Sequence, residues 1–582
     1  MSVGNWLILA LALGIVALDI TAASPWTGLP VVLGMAFVTL AIGELVRQTV
    51  AVHRKTGGFA AVLRFEVALI AGLLGFLVAR AFVLAVQFSG EATARQVASA
   101  ETYDLVFTVM AGVAAALVVA PERSGRALLK LVQRPALMLA SSFAALIVLG
   151  SLLLTLPLAV TDIGHVSYID SLFTMASAVC VTGLTVNDVA ATYTVFGHGV
   201  ILAGVQLGGV GIMTIAALAL AFGNNTSLQS QLRYAAMLDA RTIADLRSVV
   251  VGVLAGTLVV EAIGIVLLWS LFAGDPRLGE ASALWMATFH AITAFCNAGF
   301  SLFPGNMAPF AGDFGVQLVI MSLVVLGGLG FPVTMELVRH GWQRVVRVFR
   351  PSAPAPLRLS LATRVVAWTS LMLIVGGALV VFVLEFSRSL APAAELGVGR
   401  RALAALFASV NTRSAGFNTV DIGAMRDASL LLMCVLMFIG GSPMSTAGGV
   451  KTTTLAAVVA TLRGELRGRE PELADRALTP GALRKAIAVL VMMSGILLAV
   501  VVLLTLTEDQ PFIRLAFEAV SALATVGLST GITASLTAAG KLVLTLAMFL
   551  GRVGPFTIAN AVGNAGATPQ NYRLAREELP IG

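Results

Sequence analysis

The sequence predicts an all-α polytopic membrane protein, and three observations carry that expectation. Of 582 residues, 58% are hydrophobic and 12% charged, with a mean hydropathy of +0.95; soluble domains carry roughly twice that charged fraction. Twelve apolar spans lie near 6–23, 27–46, 65–88, 103–120, 136–158, 193–221, 248–272, 312–338, 365–386, 428–461, 485–506 and 537–565, a total that suits about 20 residues per crossing. Between the later spans, four glycine-centred segments recur: Val181-Thr182-Gly183-Leu184-Thr185, Asn297-Ala298-Gly299-Phe300-Ser301, Ser414-Ala415-Gly416-Phe417-Asn418 and Thr525-Val526-Gly527-Leu528-Ser529. Their central glycines are 116, 117 and 111 residues apart.

Residues 1–134 are expected to form an extension of about four transmembrane helices. Its first stretch, Trp6 to Ile20, has no Lys or Arg before it and a second span close behind, so it reads as a retained anchor. Basic loops then orient the chain. Segment 339–364 holds Arg339, Arg344, Arg347, Arg350, Arg358 and Arg364 without an acidic residue, and segments 47–64, 121–134 and 463–485 are also Arg-rich. The positive-inside bias places these loops in the cytoplasm. Counting spans from them puts both termini inside and all four glycine segments outside. The net charge of +7 is then a matter of orientation, with phospholipid headgroups as the expected partner and no role for nucleic acid. Cys180, Cys296 and Cys434 are an odd set in apolar surroundings and predict neither a disulfide framework nor redox chemistry.

From residue 135 the chain reads as four units: 135–225, 226–345, 346–465 and 466–582. Each is predicted to run outer helix, short half-membrane pore helix, extended filter segment and inner helix, which gives pseudo-fourfold symmetry around one pore. The short helices are expected at Asp170–Val179, Leu284–Phe295, Ala402–Val410 and Pro511–Ala522. Phe173, Phe289 and Phe517 sit ten residues before their glycines and Phe407 nine before, so the copies agree in more than the glycine. Each inner helix also carries a glycine cluster, at Gly208-Gly209, Gly327-Gly328, Gly440-Gly441 and Gly551. Small residues there let transmembrane backbones approach closely.

Glycine suits a strand that turns its carbonyls toward an axis, because the required dihedrals are poorly reached by residues with a Cβ. Irregular backbone at membrane depth is tolerated where it is buried or lines a water-filled cavity. The filter is therefore assigned to Val181, Thr182 and Gly183; Asn297, Ala298 and Gly299; Ser414, Ala415 and Gly416; and Thr525, Val526 and Gly527. The carbonyls of Thr182, Gly183, Ala298, Gly299, Ala415, Gly416, Val526 and Gly527 are expected to replace the hydration shell of a monovalent cation. No carboxylate lies within the four segments, which argues against a divalent-selective pore. Cys180 and Cys296 precede their glycines by three residues, where the other units have Arg413 and Ala524, a mismatch that speaks against a metal site.

The third inner helix is interrupted at Gly440, Gly441, Ser442, Pro443, Met444, Ser445, Thr446, Ala447, Gly448 and Gly449, a composition in which a continuous helix is costly. Two readings stand: a loop below the filter that obstructs passage, or a Pro-kinked helix without that role. Gly449-Val450-Lys451-Thr452 is no phosphate-binding P-loop, since Val450 interrupts the Gly-Lys-Ser/Thr run. Lys451 is expected to cap the broken helix or pair with a carbonyl. Arg552 lies inside the final span, where a charge is expensive and faces a cavity or a partner, or snorkels from a helix end. Glu518, in the fourth short helix, reads as a hydrogen-bonding group behind the filter.

The runs Asn411-Thr412-Arg413-Ser414-Ala415-Gly416-Phe417-Asn418-Thr419 and Gly440 through Thr454 resemble the Trk/Ktr/HKT superfamily of potassium transporters over about residues 135 to 565. The resemblance implies four unequal repeats around one pore, a homodimer in the cytoplasmic membrane of a prokaryote, and cytoplasmic nucleotide-binding regulatory subunits of the RCK type. It assigns the gate to the 440–449 stretch with Lys451, and places Arg552 beneath the filter beside that loop. Glycine rather than serine at Gly183 implies K+ as the transported ion, with Na+-coupled K+ transport or Na+ transport as the alternative. No organic cofactor is implied in this chain, since nucleotide belongs to the regulatory partner. The extension 1–134 departs from the usual pattern and leaves Trk-like and Ktr-like subfamilies open.

An inside-negative potential supplies about 2.3 kcal/mol per 100 mV to a monovalent cation, enough for roughly fifty-fold accumulation without ATP. Two rival classes fit less well. A rocking transporter predicts inverted repeats and two matched broken helices, whereas the repeats here share one orientation and only one inner helix reads as strongly broken. An intramembrane enzyme needs converging catalytic groups, and His53, His165, His198, His290 and His340 are scattered. The chain is not expected to be an enzyme.

Overall fold

The computed structural model describes residues 135–162, 166–211, 243–278, 281–350, 358–385, 397–474 and 476–554. The expected extension 1–134, the end of the 193–221 span and the last residues of the 537–565 span lie outside the described residues. Among the described residues the helices longer than one turn are α1 (Pro135–Leu154), α2 (Tyr168–Val179), α3 (Val195–Gly209), α4 (Ile243–Phe272), α5 (Ala283–Phe295), α6 (Phe314–Leu329), α7 (Phe331–Phe349), α8 (Leu361–Glu385), α9 (Val398–Asn411), α10 (Asp427–Phe438), α11 (Thr452–Arg467), α12 (Pro480–Thr507), α13 (Phe512–Leu523) and α14 (Ala538–Val553). A two-stranded ribbon pairs Glu472–Leu473 with Arg476–Ala477.

Among the described residues, four helices are long and apolar enough to cross a membrane: Leu137–Leu154, Gly252–Phe272, Leu361–Glu385 and Pro480–Thr507. Their outward faces carry exposed Leu258, Val266, Trp269, Trp368, Leu371, Val491 and Leu498, as a lipid-facing surface requires. The short helices α2, α5, α9 and α13 have 12 to 14 residues, about 18–21 Å at 1.5 Å per residue, and reach only part of the way across. Their inner aromatic anchors, Phe173, Phe289, Phe407 and Phe517, are fully buried. Lipid is as apolar as these rings, so their stabilisation comes from close packing rather than from transfer out of water.

Packing between successive units follows one rule. Helix α3 packs on α5, α6 on α9, α10 on α13, and α14 returns to α2, which closes a cycle. Three of the glycine clusters lie instead where a helix meets the short helix that precedes it in the chain, α3 on α2, α6 on α5 and α14 on α13. Gly208, Gly327 and Gly551 sit so close to the carbonyls of Val179, Phe295 and Leu523 that a Cβ has no room. Gly440, their counterpart by position, packs instead on Gly448 within its own loop.

Three expectations are corrected. The 312–338 stretch is not one helix: α6 and α7 meet at a 112° bend, where Gly330 takes φ +82° and Pro332 opens the next helix. A second inner helix is therefore sharply broken, and the interruption near 440 is not unique. The basic segment expected as a loop from residue 339 is helical through Phe349. The third short helix also starts at Val398, four residues before the expected Ala402.

Candidate functional site

The four short helices end at Val179, Phe295, Asn411 and Leu523, each just before its glycine segment. Each chain then takes the left-handed conformation twice. Val181, Asn297, Ser414 and Thr525 have φ of 57°, 60°, 64° and 49°, and Gly183, Gly299, Gly416 and Gly527 have 95°, 68°, 74° and 92°. The first set costs energy because these residues carry a Cβ. Surrounding hydrogen bonds hold them: Thr182 N donates to Ser177 O at 2.7 Å, Ala298 N to Thr293 O at 2.7 Å and Val526 N to Ser521 O at 2.8 Å. The third unit differs, with Ala415 N bonded to Asn411 O at 3.1 Å.

The segments converge on one another. Gly183 faces the carbonyl of Ala298, Gly299 that of Ala415, Gly416 that of Val526, and Gly527 that of Thr182. Each glycine thus abuts the residue just before the glycine of the next unit, and the fourth contact returns to the first. Side chains from the short helices brace the ring from behind: Ser177 Oγ accepts from Gly183 N at 2.9 Å, Ser521 Oγ from Gly527 N at 3.0 Å, and Asn411 Oδ1 from Phe417 N at 3.2 Å. The carbonyl ends of these helices, where partial negative charge gathers, come immediately before the glycine segments in the chain.

On one side of the ring lies a cavity of about 550 Å³, lined by Gly183, Gly299 and Gly527 and by Asp188, Asn306, Asn418 and Asp421. Asn306 Nδ2 donates to the carbonyls of Gly299 at 3.3 Å and Gly416 at 3.4 Å. Sequence reading missed Asn306; a single asparagine after Gly305 in a connecting loop is a weak signal. Glu518 Oε1 accepts from Ser529 Oγ at 2.6 Å and Thr530 N at 2.9 Å, and Oε2 from Thr533 Oγ1 at 2.9 Å. It ties α13 to the chain just past Gly527.

On the other side, residues 439–451 form an irregular loop between α10 and α11. Gly440 N bonds Val450 O at 3.0 Å and Gly441 N bonds Gly448 O at 3.2 Å. Outside contacts fix it further: Ser442 N donates to Gly328 O at 3.1 Å, Thr446 N to Gly327 O at 3.3 Å, and Thr446 Oγ1 to Asn297 Oδ1 at 2.9 Å. Ser414 Oγ accepts from Gly448 N at 3.0 Å and donates toward the carbonyls of Ala524 and Thr525 at 2.9 Å. Arg552 Nη1 donates to Thr446 O while its Nη2 reaches Gly208 O at 2.6 Å, so one guanidinium ties the loop to α3. Lys451 occupies the N-cap position of α11, and its ammonium bonds Ala447 O at 2.8 Å.

Cys180, Cys296 and Cys434 are buried free thiols. Cys296 lies against Gln206 and Glu261, a buried carboxylate on α4 that accepts from Gln206 Nε2 at 3.2 Å. That polar cluster behind the second segment was not anticipated; Glu261 is the acidic residue within an otherwise apolar span. Among the described residues no group of three or more His, Cys, Asp or Glu is placed to hold a metal ion.

Membrane-length apolar helices around converging backbone carbonyls define a polytopic α-helical membrane transport protein. Residues 125–565 match the family described as TrkH, cation transport protein, and the chain belongs to that family. It is an ion transporter and not an enzyme. It is 37% identical over 425 residues to Ktr system potassium uptake protein B of Bacillus subtilis, covering 73% of this chain and 92% of that protein. It is 30% identical over 455 residues to potassium/sodium uptake protein NtpJ of Enterococcus hirae, covering 77% and 97%. The fold is similar to that in the crystal structure of the potassium transporter TrkH from Vibrio parahaemolyticus, with a TM-score of 0.57 at 18% identity over 87% of this chain and 98% of that one.

Proposed function

We propose that this chain takes up potassium ions across the cytoplasmic membrane through a channel-like pore built from four repeats with pseudo-fourfold symmetry. The observation that carries the reading is the cyclic contact of Gly183, Gly299, Gly416 and Gly527 with the carbonyls of Ala298, Ala415, Val526 and Thr182. In it, carbonyls of Thr182, Gly183, Ala298, Gly299, Ala415, Gly416, Val526 and Gly527 strip water from the ion. The cavity with Asp188 and Asp421 faces outside and gathers cations before entry. The 439–451 loop is the gate, held by Arg552, Ser414 and Lys451. Cytoplasmic nucleotide-binding subunits shift that loop, and two copies of the chain pair in the membrane with both termini inside. The family likeness and the relatives' names as potassium uptake proteins support the ion and the multi-component system.

Complementation tests the reading directly. A cell lacking potassium uptake should grow at low external K+ when it makes this chain together with its nucleotide-binding partner. Gly183→Ser should lower the ratio of Rb+ to Na+ uptake, and an unchanged ratio would count against the filter. A second reading, uptake coupled to or carrying Na+, is favoured by the potassium/sodium uptake name of the Enterococcus relative. Rb+ uptake that requires external Na+ would select it.

A further inference from the structure

We propose that α7 senses anionic lipid and works on the 439–451 loop: its arginines take phospholipid headgroups, and the Gly330 hinge passes the resulting shift to the loop. The inference rests on the reading of that loop as a gate.

The helix is split along its length. Phe331, Met335, Val338, Trp342, Val345 and Phe349 recur every three or four residues on one face, while Arg344 and Arg347 lie opposite, Arg339 lies at the flank and Arg350 caps the C-terminal end. Phe331 packs toward α4, but beyond Met335 the apolar face is bare: Val338 is 60%, Trp342 68% and Phe349 81% exposed. All four arginines are exposed as well. A helix with a charged face, an apolar face and a mean hydropathy too low for spanning lies in the interface plane. The 112° bend at the end of apolar α6 turns α7 sharply away from it, so an α6 that crosses the membrane leaves α7 near the interface. Four arginines within twelve residues match the charge of anionic headgroups, and Trp342 and Phe349 suit the acyl boundary beneath them. A soluble acidic partner would satisfy the arginines and leave those rings in water.

The link to the loop is covalent on one side and hydrogen-bonded on the other. Gly327 and Gly328, the last turn of α6, accept the bonds from Thr446 N and Ser442 N. Gly330 packs against the backbone carbonyls of Pro443 and Met444. Beyond the hinge, Glu336 is clamped to Ser360 Oγ at 2.7 Å and to Thr363 at the start of α8. The clamp gives α7 a fulcrum one turn past its start, with its arginines on the far arm. Seating that arm among anionic headgroups draws Gly330 away from Met444 and loosens the loop.

The full chain, reconstituted in phosphatidylcholine vesicles with and without about a third phosphatidylglycerol, should take up Rb+ about five-fold faster when the anionic lipid is present. The combined Arg339→Gln, Arg344→Gln and Arg347→Gln variant should show equal uptake in the two vesicles. Brominated phosphatidylglycerol should quench tryptophan fluorescence more than brominated phosphatidylcholine, and Trp342→Phe should abolish that difference. A triple variant that still responds as the wild type does, or equal quenching by the two lipids, overturns the proposal. Uptake that is present but blind to phosphatidylglycerol overturns the lipid lever alone. No Rb+ uptake by the wild type in either vesicle overturns the uptake reading, and this inference with it.

Discussion

The ammonium of Lys541 lies 2.7 Å from Asp170 Oδ1, an ion pair between residues 371 positions apart that fastens α14 to α2. It closes the cycle of helix contacts at the seam between the last unit and the first. Both side chains are mostly buried, so neither is well solvated if its partner is removed.

Lys541→Met should therefore cost about 1–3 kcal/mol, read as a lower thermal midpoint of the detergent-solubilised protein. Asp170→Asn should cost more than Lys541→Met does. Asp170 Oδ2 also accepts from Ser167 N and Oγ in the capping box of α2. The double variant should be less destabilised than the sum of the two, because a lone charge is no longer left behind. Strict additivity would show that the pair does not couple.

Gly416→Ala tests the ring at its third member. The residue has φ +74°, which alone costs an alanine about 1 kcal/mol, and the added methyl would also meet the Val526 carbonyl and the Gly299 Cα. Rb+ uptake should fall more than about ten-fold, which corresponds to about 1.4 kcal/mol on the barrier, while the protein still purifies as folded material. Gly531→Ala serves as the control. Gly531 also has a positive φ, of 89°, but nothing lies within 4 Å of the added methyl, so uptake should change far less.

The sequence made much of this arrangement legible and concealed the rest for identifiable reasons. Nearly constant spacing exposed Gly183, Gly299, Gly416 and Gly527, because a close backbone approach recruits glycine and leaves a mark that survives without alignment. The break between Phe438 and Thr452 was visible for a similar reason, since four glycines and a proline disfavour a helix. The 112° bend at Gly330 was hidden: Gly327-Gly328-Leu329-Gly330 sits inside a continuous apolar run, and small residues in such a run serve close packing as readily as they serve a break. The bracing by Ser177, Asn411 and Ser521 was equally silent, because a hydroxyl or amide in a short helix says nothing about which backbone N–H it meets. Asn306 reaches the carbonyls of Gly299 and Gly416 across a loop whose path no periodicity encodes.

Arg552→Gln removes the guanidinium that joins Thr446 O to Gly208 O. A glutamine is shorter and cannot span both carbonyls, so the loop loses its tie to α3. Rb+ flux in vesicles without any regulatory subunit should rise by about five-fold or more, the scale of a 1 kcal/mol change in a two-state element. Arg552→Lys should give an intermediate rise, because an ammonium keeps the charge but not the fork that serves two acceptors. A variant with wild-type flux would separate Arg552 from gating.

Ser414 tests whether the 439–451 loop is held from the glycine ring as well as by Arg552. Its hydroxyl accepts from Gly448 N and donates toward Ala524 O and Thr525 O, so a single atom joins the loop, the third glycine segment and the fourth. Ser414→Ala leaves a buried N–H and a buried carbonyl without that partner, at a cost of about 1–3 kcal/mol. Because the loss falls on both the loop and the ring, two readouts should move together: flux without regulatory subunits should rise, and the preference for Rb+ over Na+ should fall. In Arg552→Gln only the first should change, since that side chain touches the loop and α3 but no carbonyl of the ring. If Ser414→Ala raises flux with selectivity intact, the hydroxyl acts on the loop alone, and the ring is held by the short-helix braces of Ser177, Asn411 and Ser521.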